Sequence, residues 1–355
     1  MDLESVTAHL AALGEPEYRS RQVRDAVARG LTLDYEGMTS LPAGLRRRLA
    51  EEAPLRELEE RERQESPDGT VKLRLATRDG YPVEAVAMRH RNRHTVCLSS
   101  QSGCPLACTF CATGSMGLGR NLSPGEIAEQ AVLLAGLLRE RGERLSNVVM
   151  MGMGEPFLNY DAVLAACRFL NDRHGLGLGA RQIAISTAGW VPGIERLAAE
   201  PLQLRLALSL HAPTDELRER LMPVNRRFPL ARVMRACRDY RRATGRRIFV
   251  EYLLLDGVND RDGDAHRLAA LLGADQAGFH VNLIAYNPTG GGFQASPLER
   301  VRTFAGILEA AGLRATYRRS HGRDIDAACG QLAVAGVREL RRARRAQRTA
   351  RVAGR

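Results

Sequence analysis

No uninterrupted apolar stretch in this sequence comes near the ~20 residues that a membrane-spanning helix requires. The first residues, MDLESVTAHL, lack the basic-then-apolar layout of a secretory leader, so a cytoplasmic protein with no membrane partner is expected. Lysine is nearly missing as well: Lys72 is alone, and arginine carries almost all of the positive charge. No internal repeat is visible beyond an alternation of strand-like and helix-like runs. What is present is ordinary for a globular chain. At 44% hydrophobic and 26% charged, its 355 residues suffice for two domains, or for one large domain with an appendage. The net charge of +11 suits a polyanionic partner, although an arginine excess can equally reflect codon composition.

Three of the seven cysteines, Cys104, Cys108 and Cys111, stand as C-x3-C-x2-C, and Cys97 lies seven residues before the first of them. The run from His94 to Ser99 is β-branched enough to end a strand. Glycines and a proline follow, so the cysteines leave that strand on a loop. Three thiolates on one tight loop can hold three corners of an iron–sulfur cube, leaving the fourth iron for a substrate or cofactor. A zinc knuckle needs a fourth Cys or His at short spacing. None appears before Arg120, and the next histidine is His174. Buried or zinc-binding thiols remain the bland alternative.

Residues 1–60 read as a helical accessory region, with Arg19, Arg21, Arg24, Arg46, Arg47 and Arg48 turned outward to phosphate or merely to solvent. Residues 61–93 read as a linker and a β-hairpin: Val71, Leu73 and Leu75 alternate, Asp79-Gly80 turns, and Val83, Ala85 and Ala87 alternate back. Glu84 falls on the other face, where a carboxylate is ordinarily solvent-exposed. Over residues 94–337, strands at 94–99, 146–151, 181–186, 204–210, 247–254 and 279–285 alternate with helices near 123–140, 160–171, 192–199, 229–243 and 261–272. These six β/α units predict an α/β fold, an incomplete parallel barrel open on one side, with functional loops at the strand C-terminal ends. A helix near 297–311 and an extended run at 314–319 follow, and residues 338–355 form an arginine-rich tail that either lies on RNA or frays in solvent.

The strand ends carry small polar groups. Gly154 and Glu155 follow the second strand, Ser186 ends the third, Ser209-Leu210-His211 ends the fourth and Asn287 follows the sixth. Singly each suits a turn or a cap; jointly they describe a site for a polar ligand, with Glu155 able to accept from an ammonium.

The cysteine loop, with Phe110 just before Cys111, resembles the signature of radical S-adenosylmethionine (SAM) enzymes. The stretch from Cys97 to Leu122, together with MGMGEPFLNYD, ISTAGWVPGI, ALSLHAP, MPVNRRFPL, LLDGVND, AYNPTGGGF and RDIDAACGQLA, resembles the RlmN-type radical-SAM RNA methyltransferases from about residue 12 to 335. That resemblance implies a [4Fe–4S] cluster on Cys104, Cys108 and Cys111, and SAM held by Gly154, Glu155, Ser186, Ser209, Leu210, His211 and Asn287. It implies two SAM per turnover. One methylates Cys329. The other yields a 5′-deoxyadenosyl radical that activates that methyl group for addition to carbon 2 of an adenine. Glu84 would then remove the carbon-2 proton, and Cys97 would attack Cys329 sulfur to release the product. The implied partners are 23S ribosomal RNA, transfer RNA and an electron donor such as flavodoxin or ferredoxin. Cys167 and Cys237, in helical runs, read as core fillers.

Other readings differ in what they ask of the cysteines. A carbon-8 methyltransferase of the same mechanism needs the same residues. A non-catalytic RNA-binding protein with a structural metal needs no SAM, and an activase of a partner protein gives no task to Cys97 and Cys329 as a pair. The segment from Met88 to Arg93, MRHRNR, is basic where many relatives are more acidic or apolar, and could touch RNA.

Overall fold

Three short helices lead the chain: α1 (Leu3–Ala12), α2 (Tyr18–Ala28) and α3 (Ala43–Glu52). Each buries a single stripe, such as Val23 and Val27 on α2 and Leu45 and Leu49 on α3, against the main core. The computed structural model describes residues 1–91, 93–273, 276–290, 292–318 and 320–332; the arginine-rich tail at 338–355 lies outside them.

Next come β1 (Leu58–Glu65), β2 (Val71–Thr77), β3 (Pro82–His90) and β4 (Arg93–Cys97), then the short strand β5 (Gln101–Gly103), α4 (Ala112–Met116), β6 (Leu118–Asn121) and α5 (Pro124–Glu140). The start of α5 is set locally: Ser123 and Glu126 form a capping box and Pro124 occupies the first turn. The remainder alternates: β7 (Leu145–Met150), α6 (Tyr160–Asn171), β8 (Ile183–Thr187), α7 (Val191–Ala198), β9 (Arg205–Ser209), α8 (Asp215–Leu221), α9 (Leu230–Thr244), β10 (Ile248–Leu254), α10 (Asp262–Leu272), β11 (Phe279–Ala285), α11 (Leu298–Ala310) and β12 (Arg314–Arg318).

Among the described residues, ten strands form one sheet in the order β1-β2-β3-β4-β7-β8-β9-β10-β11-β12, and β5 pairs with β6. Pairing is antiparallel from β1 to β4 and parallel from β4 to β12. The parallel strands are short apolar runs such as IAIST and RLALS, as expected when helices cover a sheet. This is the expected incomplete barrel, open between its edge strands β1 and β12. Cys167 and Cys237 are fully buried in its core.

Three expectations need correction. The segment expected as a linker begins inside a strand, for β1 covers residues 58–65. Its LEERERQE pattern hides a strand because only Leu58 is buried; backbone pairing and cross-strand pairs such as Arg74–Glu62 (2.6 Å) hold it. The extended run expected at 314–319 contains a seventh parallel strand, β12 (314–318), added beside the six β/α units. The N-terminal arginines are largely engaged within the chain: Arg19 with Glu15 (3.4 Å), Arg24 with Asp172 (2.6 Å), Arg48 with Glu52 (2.9 Å), and Arg46 donating to the Glu36 carbonyl. Arg21 and Arg47 alone of that set are exposed without such a partner among the described residues.

Candidate functional site

The turn after β4 is pinned from beneath. Ser99 Oγ donates to the Glu84 carbonyl (2.6 Å) and accepts from Met153 N–H (2.8 Å), while Gln130 receives Ser99 N–H (2.8 Å). Gly103 then turns the chain at φ +77°, where a Cβ would lie 1.9 Å from the Gly117 carbonyl oxygen. Only glycine fits there. Cys104, Cys108 and Cys111 follow, and all three line one cavity of about 260 Å³. Burial pushes the Cys104 thiol up to about 12 and Cys108 well above its ordinary value, with the neighbouring thiols adding to both. Among the described residues no three ligating side chains close around a single ion. Three thiols on one loop that share a cavity match the donor set of a polynuclear cluster, in which each cysteine binds its own iron.

The rest of the wall comes from the C-terminal ends of the parallel strands. Gly154, Glu155, Ser186, Ser209 and His211 all line the cavity. Glu155 is buried, and its two carboxylate oxygens accept from Ala188 N–H (2.8 Å) and Phe157 N–H (3.1 Å). Desolvation outweighs those bonds and raises it to about 7. Gly154 sits at φ +103°, where a Cβ would be 2.6 Å from Gln101. Ser186 and Ser209 share a hydrogen bond (3.3 Å). His211 Nδ1 accepts from Leu253 N–H (2.9 Å), and its ring stands edge-on to Phe110 at 4.8 Å. Burial, then nearby Arg218, drops its pKa to about 3, so the ring is neutral with its proton on Nε2. Leu210 and Asn287 are outside the cavity wall. Leu210 is buried, its N–H bonded to the Glu251 carbonyl (3.1 Å). Asn287 is also buried; its amide donates to the Cys329 carbonyl (3.2 Å), and its Oδ1 has no partner among the described residues. A buried carboxylate and a neutral imidazole on the cavity wall, with the Asn287 Oδ1 left unpartnered near Cys329, are groups that a ligand such as SAM, whose adenine and amino acid supply donors, can satisfy.

Cys97 and Cys329 both reach this cavity, and a small apolar cluster of Val86, Cys97, Met153, Ala327 and Leu332 fills the gap between β4 and the Cys329 segment. Burial raises Cys97 to about 12, and Cys329 adds to that. Cys329 is exposed and lines the cavity; desolvation, then Cys111, raises it to about 12 as well.

The segment carrying Cys329 is fastened at both ends. Ala112 N–H donates to the Gly330 carbonyl (2.8 Å), and Gln331 Nε2 donates to the Pro288 carbonyl (3.2 Å). On the other side the β1–β2 turn grips it. Ser66 Oγ donates to Asp324 (2.7 Å), Asp68 Oδ2 accepts from Gly322 N–H (3.0 Å), and Lys72 Nζ donates to the Asp326 carbonyl (3.3 Å).

Glu84 corrects the reading from its strand pattern: it is 1% exposed. Lys72 Nζ lies 3.8 Å and Arg74 Nε 3.7 Å from its carboxylate. It does not line the cavity, although Met88 and His90, on the same face of β3, do. Two residues of the site had no signal as strong as the cysteines. Arg218 looks like part of an exposed helix, DELRERL, yet is fully buried. It ties Ala188 O (2.6 Å), Leu210 O (3.3 Å) and Asn225 Oδ1 (2.9 Å) together. Glu251 lines the cavity and accepts from Asn282 (2.8 Å). A lone acid inside the apolar strand IFVEYLL was its available signal.

Comparison with known proteins is consistent in kind. Residues 98–269 match the radical SAM superfamily. Over 335 residues the chain is 49% identical to the probable dual-specificity RNA methyltransferase RlmN of Symbiobacterium thermophilum, covering 94% of this chain and 90% of that one. It is 45% identical over 339 residues to the dual-specificity RNA methyltransferase RlmN of Anaeromyxobacter dehalogenans, with 94% and 90% covered. The crystal structure of a radical SAM methyltransferase from Sphaerobacter thermophilus superposes with a TM-score of 0.90 at 49% identity, over 93% of this chain and 97% of that one.

Proposed function

The chain belongs to the RlmN dual-specificity RNA methyltransferases of the radical SAM superfamily, and we propose that it methylates carbon 2 of adenosine in 23S ribosomal RNA and in transfer RNA through a methylated Cys329 and a covalent link to the RNA. Cys104, Cys108 and Cys111 would hold the [4Fe–4S] cluster, which with SAM supplies the one-electron chemistry that an electron-poor ring carbon requires. Glu155 receives the ammonium of SAM. Ser186, Ser209, His211 and Asn287 offer polar contacts to the rest of it, with Gly154 and Leu210 shaping the backbone around it.

Cys329 Sγ accepts a methyl group and later delivers that carbon to the base, so each turnover uses two SAM. Glu84 takes the carbon-2 proton from the adduct. Lys72 Nζ and Arg74 Nε stand 3.8 and 3.7 Å from its carboxylate, and a base must sit where its carboxylate can accept that proton. Cys97 sulfur then attacks Cys329 sulfur. The sulfur–sulfur bond forms as the sulfur–carbon bond breaks, and the released carbon takes up a proton to become the methyl group. A one-electron donor of the flavodoxin or ferredoxin type serves the cluster, and the helical region at 1–60 meets RNA through Arg21 and Arg47.

The observation that most supports this reading is that Cys97 and Cys329 open into the cavity that the three loop cysteines line. The test is an anaerobic assay of reconstituted protein with ribosomal and transfer RNA, followed by nucleoside mass spectrometry. The expected product is 2-methyladenosine from both RNAs, and none from Cys329→Ala. A product methylated at carbon 8, or full activity of Cys329→Ala, would overturn it.

A further inference from the structure

A second concavity, of about 570 Å³, lies between α11 and β12 on the rim beside the cavity. Leu298, Val301 and Tyr317 form its apolar part, and Arg302, Arg323 and Ser320 its polar part. Leu298 is 48% and Tyr317 38% exposed, and these are two of the three large hydrophobic side chains left exposed among the described residues. Arg302 and Arg323 are exposed and have no hydrogen-bond or ion-pair partner among the described residues, whereas Arg300 on the same helix pairs with Asp262. The groove is continuous with the site. Ser320 lines both concavities, and its buried hydroxyl has no partner among the described residues. On β12, neighbouring side chains point to opposite faces. Arg318 therefore enters the cavity while Tyr317 enters the groove.

We propose that this groove binds a nucleotide of the substrate RNA next to the target adenosine, its base against Tyr317 and Leu298 and its phosphates on Arg302 and Arg323. This rests on the chain acting on RNA. An aromatic face beside unpaired guanidinium groups is the combination that holds an unstacked nucleotide. A target base drawn into the cavity brings its neighbour to the rim, and Ser320 marks the threshold between the two. An apolar partner protein would leave the two arginines unmatched.

Binding of full-length protein to a fluorescein-labelled RNA stem-loop with an unpaired loop adenosine tests this by anisotropy across a salt series. Arg302→Ala and Arg323→Ala are each expected to flatten the slope of log K against log salt by roughly 0.7–0.9. Tyr317→Ala is expected to weaken binding by about 5- to 150-fold, as loss of one stacked base does, and Tyr317→Phe to restore it. Methylation of Cys329 by SAM without RNA, read by intact mass, stays at the wild-type level in all four. That control separates the two ideas: failure of wild-type protein to methylate Cys329 counts against the proposed mechanism, while the RNA titration still judges the groove. Unchanged affinity and salt slope in the arginine variants overturn the proposal. So does intact RNA affinity with lost reduction by flavodoxin, which would make the groove a protein-docking face.

Discussion

Cys329 lies close enough to Cys97 to raise that thiol further, although the whole parallel sheet separates them in the chain. In the proposed reaction the first accepts a carbon and the second removes it. Cys97→Ala should therefore methylate Cys329 and couple to RNA but fail to let go. A protein–RNA species that accumulates on denaturing gels and stops at a single turnover is the expected result. Free methylated RNA at the wild-type rate would remove Cys97 from the mechanism.

Glu84 and Glu251 are the two buried carboxylates that compete for the role of base. Glu84 has two cations within 4 Å; Glu251 faces the cavity and is raised by burial. With Glu84 as base, Glu84→Gln lowers RNA methylation by about 10²- to 10⁴-fold and leaves Cys329 methylation intact. Glu251→Gln should cost much less. The opposite order would move the role to Glu251.

Asp68 positions the Cys329 segment from the far side of the sheet through Gly322 N–H. Asp68→Ala removes that acceptor, and a misplacement of about 1 Å at the sulfur can cost ~10²-fold. Slower Cys329 methylation with normal SAM affinity is expected, and Asp68→Asn, which keeps an acceptor, should rescue it.

SAM binding should carry a pH signature from Glu155. Its pKa of about 7 is raised by desolvation, so the carboxyl is protonated below that pH in the ligand-free protein. An ammonium requires the ionised form. Binding below pH 7 must therefore expel a proton, and SAM affinity should fall as pH drops from 7 toward 5. Calorimetry in buffers of different ionisation enthalpy measures that proton directly. Glu155→Gln should bind weakly with no such slope.

Gly103→Ala combines a positive φ with a Cβ 1.9 Å from a carbonyl oxygen. A loss of about 1–3 kcal/mol is expected, seen as a lower Tm and as reduced iron after reconstitution.

Most of the parallel strands were legible as short apolar or β-branched runs such as IAIST and RLALS, and the cysteine loop because its spacing is chemical. What escaped was structure held by partners remote in sequence. β1 shows no apolar alternation, since its outer residues meet water and cross-strand charges. Arg218 shares its composition with a solvated helix, and only the convergence of the β8 and β9 ends buries it. Glu84 looked exposed because its strand alternates correctly; the face opposite the core is covered by the Cys329 segment, some 240 residues later in the chain. Leu210 and Asn287, implied by resemblance, are buried beside the cavity, Asn287 donating to the Cys329 carbonyl.

Lys72 stands 3.8 Å from Glu84 and holds the Asp326 carbonyl. It is also the chain's only lysine. Reductive methylation with ¹³C-formaldehyde would thus install just one labelled side-chain amine, at the junction of hairpin and C-terminal segment. Its NMR line becomes a built-in gauge of whether that junction stays shut or parts when the substrate arrives.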